Sequence, residues 1–207
     1  DGTLIDSLPN VTDAANAVLS ERGLPPLERK QTAGFVGLGE QVFMDRLIAA
    51  TALDPLDRDA HMESFIGHYK VEALKTQLFP GAKDALSALN EKGFSLGLVT
   101  NKPRAPLLPT LETAGLSTVF DAVIAGDDLP KRKPYAEPIW HALKLIGAKT
   151  CVYVGDSPTD AETAQNAGVP FVLYSEGIRT VPVSAIPHDV VFDDFQELPE
   201  ICARLAG

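Results

Sequence analysis

The sequence has few of the features that mark membrane proteins and disulfide-rich secreted proteins. No apolar run approaches the ~20 residues that a membrane-spanning helix needs, so we expect no membrane partner. Only two cysteines, Cys151 and Cys202, occur among the 207 residues, and they lie far apart. Such a low count favours buried thiols over a disulfide, and it predicts a reducing, cytoplasmic location.

Basic residues are also scarce. Lys and Arg number 18 against 28 Asp and Glu, which gives a formal net charge of −10. Nucleic acids bind basic surfaces, so this balance argues against them as partners, and the short run Lys131-Arg132-Lys133 does not overturn it. The same charge repels small anions. A phosphate site in this chain therefore needs its own cations, either a metal ion or particular lysines.

Hydrophobic periodicity divides the chain into two regions. Residues 10–78 carry only helical spacing and predict a small bundle, with helices over residues 11–23, around residues 42–49 and over residues 56–71. From Pro80 onward, helices alternate with short apolar runs, which is typical of a parallel sheet. The predicted strands are residues 94–100, 122–125, 151–154, 171–173 and 190–192.

These patterns predict an α/β fold with a doubly wound parallel sheet and an inserted all-helical domain. Residues 1–9 and 79–207 would form the α/β core, and residues 10–78 the helical domain. Residues 6–10 and 77–81 are the expected linkers. Since ligands of such sheets bind beyond the carboxyl ends of the strands, the residues that follow each strand are the candidates for function.

Two candidate motifs place small polar residues where a strand ends. Asp1-Gly2-Thr3 pairs a carboxylate with a glycine that permits an unusual backbone turn, after which amides can point at an anion. Thr100-Asn101 offers a hydroxyl and an amide before a helix N-terminus, where phosphate oxygens collect. Taken alone, the first motif is better explained as a plain turn and the second as a helix cap.

Two further motifs carry charge. Lys133 precedes Pro134, which restricts its backbone, and a fixed lysine here would neutralise a phosphoryl group. Asp156 and Asp160 lie four residues apart at a strand end and in the next helical turn, where both can reach a hard cation such as Mg²⁺. The alternatives are a solvated lysine and helix capping by Asp156 or Ser157, with Asp160 favoured by the helix dipole.

In combination these motifs resemble a known family. The matching stretches are residues 1–7, 79–81, 98–103, 126–128, 133–134 and 153–157. They are similar to phosphatases of the haloacid dehalogenase (HAD) superfamily, and within it to the bacterial phosphoglycolate phosphatases. That resemblance implies a Rossmann-like HAD core with a helical cap. Two departures occur: Ala136 replaces a usual proline, and the first aspartate of the opening motif is absent from this sequence.

The resemblance implies hydrolysis of a small phosphate monoester, most simply 2-phosphoglycolate, with Mg²⁺ as cofactor. An aspartate expected two residues before Asp1 would attack phosphorus and form an aspartyl-phosphate. Asp1, Thr100 and Lys133 would be catalytic, with Asp1 serving as general acid and base. Gly2 and Asn101 would bind the substrate. The metal would be held by Asp1 through its main-chain carbonyl, by Asp156, and by Asp160 as a ligand or as an orienting neighbour.

The same resemblance implies that the helical cap closes over the site and selects the substrate. Gly34, Gly37 and Gly39 make a flexible segment that is either a specificity loop or a simple helix connection. A substrate carboxylate would need a cation, and Lys102, Arg46 and Arg179 are candidates that the sequence does not rank.

Other functions remain open on the sequence. A sugar-phosphate mutase, or a phosphatase for another small phosphomonoester, would have the same fold. A chain that truly starts at Asp1 would lack the nucleophile, and it would serve at most as a non-catalytic Mg²⁺- or phosphate-binding module. We expect a monomer or a homodimer.

Overall fold

The computed structural model describes residues 1–206, and it joins a helical body to an α/β body through a short antiparallel ribbon. Strand β1 (Ile5–Asp6) pairs with β2 (Gln77–Leu78), with Ile5 opposite Leu78. Both strands fall in or next to the segments predicted as linkers. The connection between the two bodies is therefore a hydrogen-bonded ribbon, where the sequence predicted only linkers.

The helical body contains one more helix than the periodicity predicts. A short helix follows the first one. It has five residues, which are too few to show an apolar repeat, so the periodicity did not predict it. The last helix starts two residues later than expected, since Asp54 caps a 3₁₀ turn in front of it. The helices are α1 (Leu8–Glu21), α2 (Arg29–Ala33), α3 (Glu40–Ala50) and α4 (Arg58–Glu72).

The helical body has its own apolar core. The face of α1 that the sequence marks as apolar is buried, and it packs chiefly against α4. Aromatic rings extend this core: Phe43 stacks on Phe65 at 4.8 Å between centroids, and Phe65 stacks on Tyr69 at 5.7 Å. This row of rings runs towards the end of α4 and, as described below, reaches the α/β body.

The α/β body contains five parallel strands, close to the predicted ones. They are β3 (Gly97–Val99), β4 (Ala122–Ile124), β5 (Tyr153–Gly155), β6 (Phe171–Tyr174) and β7 (Val190–Phe192). The helices of this body are α5 (Ala82–Glu91), α6 (Arg104–Thr113), α7 (Glu137–Ile146), α8 (Pro158–Ala167) and α9 (Leu198–Ala206). The expected class, α/β with parallel strands and added helices, is confirmed.

Within residues 1–206 the parallel strands form two hydrogen-bonded ladders. Strand β3 pairs with β4, and β5 pairs with β6 and then β7, but within residues 1–206 no ladder joins β3 to β5. Apolar packing bridges the two ladders, since Leu96, Val152 and Val154 belong to one hydrophobic cluster with Leu4. The carboxyl ends of β3 and β5 consequently flank one cavity, which Asp1 also lines.

The structure can be compared with the expectations for membrane-spanning helices and for the two cysteines. The longest helix described, α4, has 15 residues, and no helix within residues 1–206 combines the length and apolar character that crossing a membrane requires. Cys151 is half-buried and Cys202 is buried, and both are free thiols.

Candidate active site

The site is built on Asp156, which is buried directly after β5. Its Oδ1 accepts a hydrogen bond from the Thr3 hydroxyl at 2.7 Å, and its Oδ2 accepts one from the Ile178 amide at 2.8 Å. Burial, followed by repulsion from Asp160, raises the pKa of Asp156 to about 6. A cation beside this carboxylate would favour its charged form.

Two glycines allow the chain to approach Asp156 closely. A Cβ on Gly2 would lie 2.3 Å from Asp156 Oδ2, and a Cβ on Gly177 would lie 2.2 Å from Asp156 Cβ. Gly2 also has a φ of +81°, which favours glycine. Its amide donates to the Ile5 carbonyl at 2.8 Å and so closes the turn. Gly2 therefore supplies space beside Asp156 and closes the turn after Asp1.

Asp160 lies in the first turn of α8, and its carboxylate is fully engaged. Oδ2 accepts from the amides of Asp156 and Ser157 at 3.2 and 3.1 Å and from the Ser157 hydroxyl at 2.6 Å. Oδ1 accepts from Lys133 Nζ at 2.7 Å and from the Tyr153 hydroxyl at 3.3 Å. Burial alone would raise the pKa of Asp160, but Lys133 and these donors outweigh it, so the pKa is lowered. The carboxylate is thus a charged anchor.

Lys133 faces that anchor from the loop after β4. Its side chain is 14% exposed. Burial alone would lower its pKa, but the charge of Asp160 outweighs burial and raises the pKa above the usual lysine value. The ammonium group is therefore charged throughout the physiological range. Asp160 Oδ1 holds it in place, and Lys133 lines the cavity.

Thr100 and Asn101 follow β3 and organise the neighbouring loops. The Thr100 hydroxyl oxygen accepts from the Lys102 amide at 3.1 Å, which leaves the hydroxyl proton available to donate. Asn101 Nδ2 donates to the Gly37 carbonyl of the helical body and to the Lys133 carbonyl, both at 3.1 Å. Its Oδ1 is buried without a hydrogen-bond partner in the part of the chain that the structure describes. Asn101 thus ties the glycine segment to the lysine loop.

Lys102 has a place that sequence patterns did not predict. Its Nζ lies 3.1 and 3.3 Å from the two oxygens of Asp1 and 2.5 Å from the hydroxyl of Tyr69. Its three donors are then occupied, so it has none left for a substrate carboxylate. Arg179 is likewise turned to main-chain carbonyls, those of Tyr174, Ser175 and Gly177.

Arg46, the third candidate cation for a substrate carboxylate, is the least engaged. It extends from α3, lines the cavity and donates one hydrogen bond, from Nη1 to the Gly34 carbonyl at 2.8 Å. Within residues 1–206 it makes no ion pair. Its remaining guanidinium donors are thus the ones best placed to meet an anion in the cavity.

The acidic groups do not form a closed three-ligand metal cage. Among residues 1–206 no cluster of three or more His, Cys, Asp or Glu side chains is arranged to hold a metal. Asp156 nevertheless suits a hard cation, because each of its oxygens accepts one hydrogen bond and keeps a lone pair. A Cβ on Gly177 would meet both Asp156 and the Gly2 carbonyl oxygen, so a main-chain oxygen lies near the same side chain. The donors present therefore fit Mg²⁺ with few protein ligands and several waters.

Comparison with known proteins defines the class of this chain. Residues 1–174 match the model of the haloacid dehalogenase-like hydrolase family. The chain therefore belongs to this family, and the expectation of an enzyme of the hydrolase class is confirmed.

Individual proteins similar to this chain belong to a narrower group than the whole family. The chain is 41% identical to a phosphoglycolate phosphatase of Rhodobacter capsulatus, over 97% of this chain and 93% of that protein. It is 39% identical to a phosphoglycolate phosphatase of Cereibacter sphaeroides, over 99% and 95%. The fold is similar to the crystal structure of a predicted phosphoglycolate phosphatase from Haemophilus somnus 129pt, with a TM-score of 0.91 and 30% identity over 97% and 94% of the two chains.

Proposed function

We propose that this protein hydrolyses 2-phosphoglycolate, or a closely similar small phosphate monoester, with Mg²⁺ as cofactor. The observation that carries the proposal is the shared cavity where Asp1, Thr100, Lys133 and Asp156 meet at the ends of β3 and β5. A carboxylate, a hydroxyl, a buried ammonium and a metal-suited carboxylate are the groups that phosphoryl transfer needs. The names of the relatives support the choice of substrate.

In the proposed reaction an aspartate two residues before Asp1 attacks phosphorus, and its new O–P bond replaces the bond to the leaving alkoxide. Asp1 donates a proton to that alkoxide. In the second step Asp1 takes a proton from water, whose oxygen attacks phosphorus and releases the nucleophilic aspartate and free phosphate. One carboxyl group thus serves first as acid and then as base.

The remaining residues hold charge and geometry. Lys133 and the Thr100 hydroxyl stabilise the phosphoryl oxygens, and Asn101 fixes the loop of Lys133 and the glycine segment of the cap. Asp156 and the main-chain carbonyl of Asp1 would hold Mg²⁺, which supplies positive charge to the phosphoryl group when it is bound. Asp160 orients Lys133 and does not need to touch the metal.

The first test measures free phosphate from a set of phosphate esters, using a chain that carries the proposed nucleophile. We expect Mg²⁺-dependent release from 2-phosphoglycolate, loss of release in EDTA and recovery on adding Mg²⁺. A mutase would instead convert a sugar phosphate into its isomer with little free phosphate. Absence of phosphate release from every ester would contradict the proposal and favour a binding role.

Arg46 is proposed to meet the substrate carboxylate. A charged hydrogen bond of this kind contributes about 1.5–3 kcal/mol, so Arg46→Met should raise KM for 2-phosphoglycolate about 10- to 100-fold. Ethyl phosphate, which has no carboxylate, should be hydrolysed with unchanged KM. Arg22→Met, at the exposed end of α1, is the matched control and should leave both substrates unaffected. An equal change in KM for both esters in Arg46→Met would show that Arg46 does not bind the substrate carboxylate.

A further inference from the structure

Tyr69 of the helical body and Lys102 of the α/β body form a hydrogen-bonded pair beside Asp1, the proposed general acid. Tyr69 lies near the end of α4, and its hydroxyl is 2.5 Å from Lys102 Nζ. The same ammonium group lies 3.1 and 3.3 Å from the Asp1 carboxylate oxygens. Lys102 is therefore held from the helical body and from the α/β body at once.

The Lys102 ammonium is buried, and the Tyr69 ring is packed against other rings. The Lys102 side chain is 5% exposed, and its ammonium lies 4.8 Å from the centroid of the Tyr69 ring. The Tyr69 ring stacks on Phe65 with an interplanar angle of 5°, and Phe65 stacks in turn on Phe43. Because these rings are packed, the Tyr69 hydroxyl is delivered to a defined point beside Lys102.

We propose that Tyr69 of the cap is a positioning residue, which acts through Lys102 to hold the Asp1 carboxylate in the orientation that proton transfer requires. This inference rests on the proposed function. A buried ammonium with three donors satisfied by one hydroxyl and two carboxylate oxygens has a single arrangement, and removal of the hydroxyl frees it to rotate. Misplacement of an acid by a fraction of an ångström is sufficient to slow proton transfer.

The test uses Tyr69→Phe, which keeps the stacked ring and removes only the hydroxyl. We expect kcat/KM for 2-phosphoglycolate to fall about 10-fold, the effect typical of a lost hydrogen bond to a charged group. The control substrate is the aryl ester p-nitrophenyl phosphate. Its leaving group, p-nitrophenolate, departs without protonation, so kcat/KM for this ester should change less than about twofold. Tyr135→Phe removes an exposed hydroxyl outside the cavity and should alter neither value.

A second variant separates positioning from packing. If Tyr69 acts through Lys102, Tyr69→Phe should have no further effect on kcat/KM when it is introduced into Lys102→Met. Independent losses in the double variant, equal losses on both esters, or a rise in KM alone would each overturn the inference.

Failure of the proposed function would be recognised separately, because the unsubstituted protein would then release phosphate from neither ester. In that case the pair is tested by the urea midpoints of the unsubstituted protein, Tyr69→Phe, Lys102→Met and the double variant. Coupled changes for Tyr69→Phe and Lys102→Met support the pair, and additive changes overturn it.

Discussion

Replacement of Lys133 by methionine is expected to lower kcat for 2-phosphoglycolate by about 10²–10³, the usual cost of removing one preorganised group that stabilises transition-state charge. Lys133 is held at 2.7 Å from Asp160 and is charged, so it meets the phosphoryl oxygens without having to reorganise. The measurement is phosphate release at saturating Mg²⁺. Activity within tenfold of the unsubstituted protein would contradict the assignment.

The same substitution should also destabilise the fold, because it leaves the buried Asp160 carboxylate without its cation. Breaking a buried ion pair from one side costs about 3–5 kcal/mol in the free energy of unfolding. Lys133→Met combined with Asp160→Asn removes both charges, so it should recover much of that stability while kcat stays low. Urea unfolding of the single and double variants therefore separates catalytic loss from unfolding.

The second large effect is expected for Asp156→Asn, which should lower Mg²⁺-dependent kcat/KM at least about 10²-fold because the metal loses its charged ligand. Asparagine has the size of aspartate, but only one of its two polar atoms can accept a hydrogen bond. It therefore cannot serve both Thr3 and Ile178 as Asp156 does. Activity that Mg²⁺ still stimulates to the level of the unsubstituted protein would rule out Asp156 as the metal ligand.

The pH dependence of stability gives a check on Asp156 that does not need activity. Its pKa is raised from 3.8 to about 6, so the folded state holds a proton that the unfolded state releases. Its contribution to stability is thus complete below pH 3.8 and is lost as the pH rises through about 6. The lost free energy is on the order of 3 kcal/mol.

The comparison is made in EDTA against Asp156→Asn, which lacks this titration. The unfolding free energy of the unsubstituted protein should fall relative to that variant between about pH 4 and pH 7. Adding Mg²⁺ at pH 7.5 should then raise Tm of the unsubstituted protein and leave Asp156→Asn unchanged. A parallel pH course in the two proteins would contradict the burial of a titrating carboxylate here.

The fold class and most elements could be predicted because they depend on local patterns. The run over residues 190–192 is apolar and bounded by polar residues, and it forms β7 as predicted. The first helix buries the face that its 3.6-residue spacing marks. The order in which the strands pair could not be predicted, since periodicity identifies strands but does not say which backbones pair.

The candidate site, too, could be predicted from the sequence only in part. Asp1, Thr100, Lys133 and Asp156 could be singled out because polar residues at the ends of parallel strands meet at one edge of the fold. The alternative of helix capping also proved relevant: Ser157 caps α8, and Asp160 completes the capping box as well as holding Lys133. Spacing alone could not tell a metal ligand from an anchor for lysine, because that depends on which groups face each carboxylate.

By itself, then, the sequence determined a parallel α/β chain with a helical insertion and a set of polar residues at its strand ends, because those features follow from neighbours in the chain. Only the tertiary structure decided what each residue contacts. Thr3 and Asp156 are 153 residues apart, Lys102 and Asp1 are 101 apart, and Tyr69 and Lys102 are 33 apart. No local pattern encodes such pairs, since they arise only when packing brings separate elements, and the cap and core, into contact.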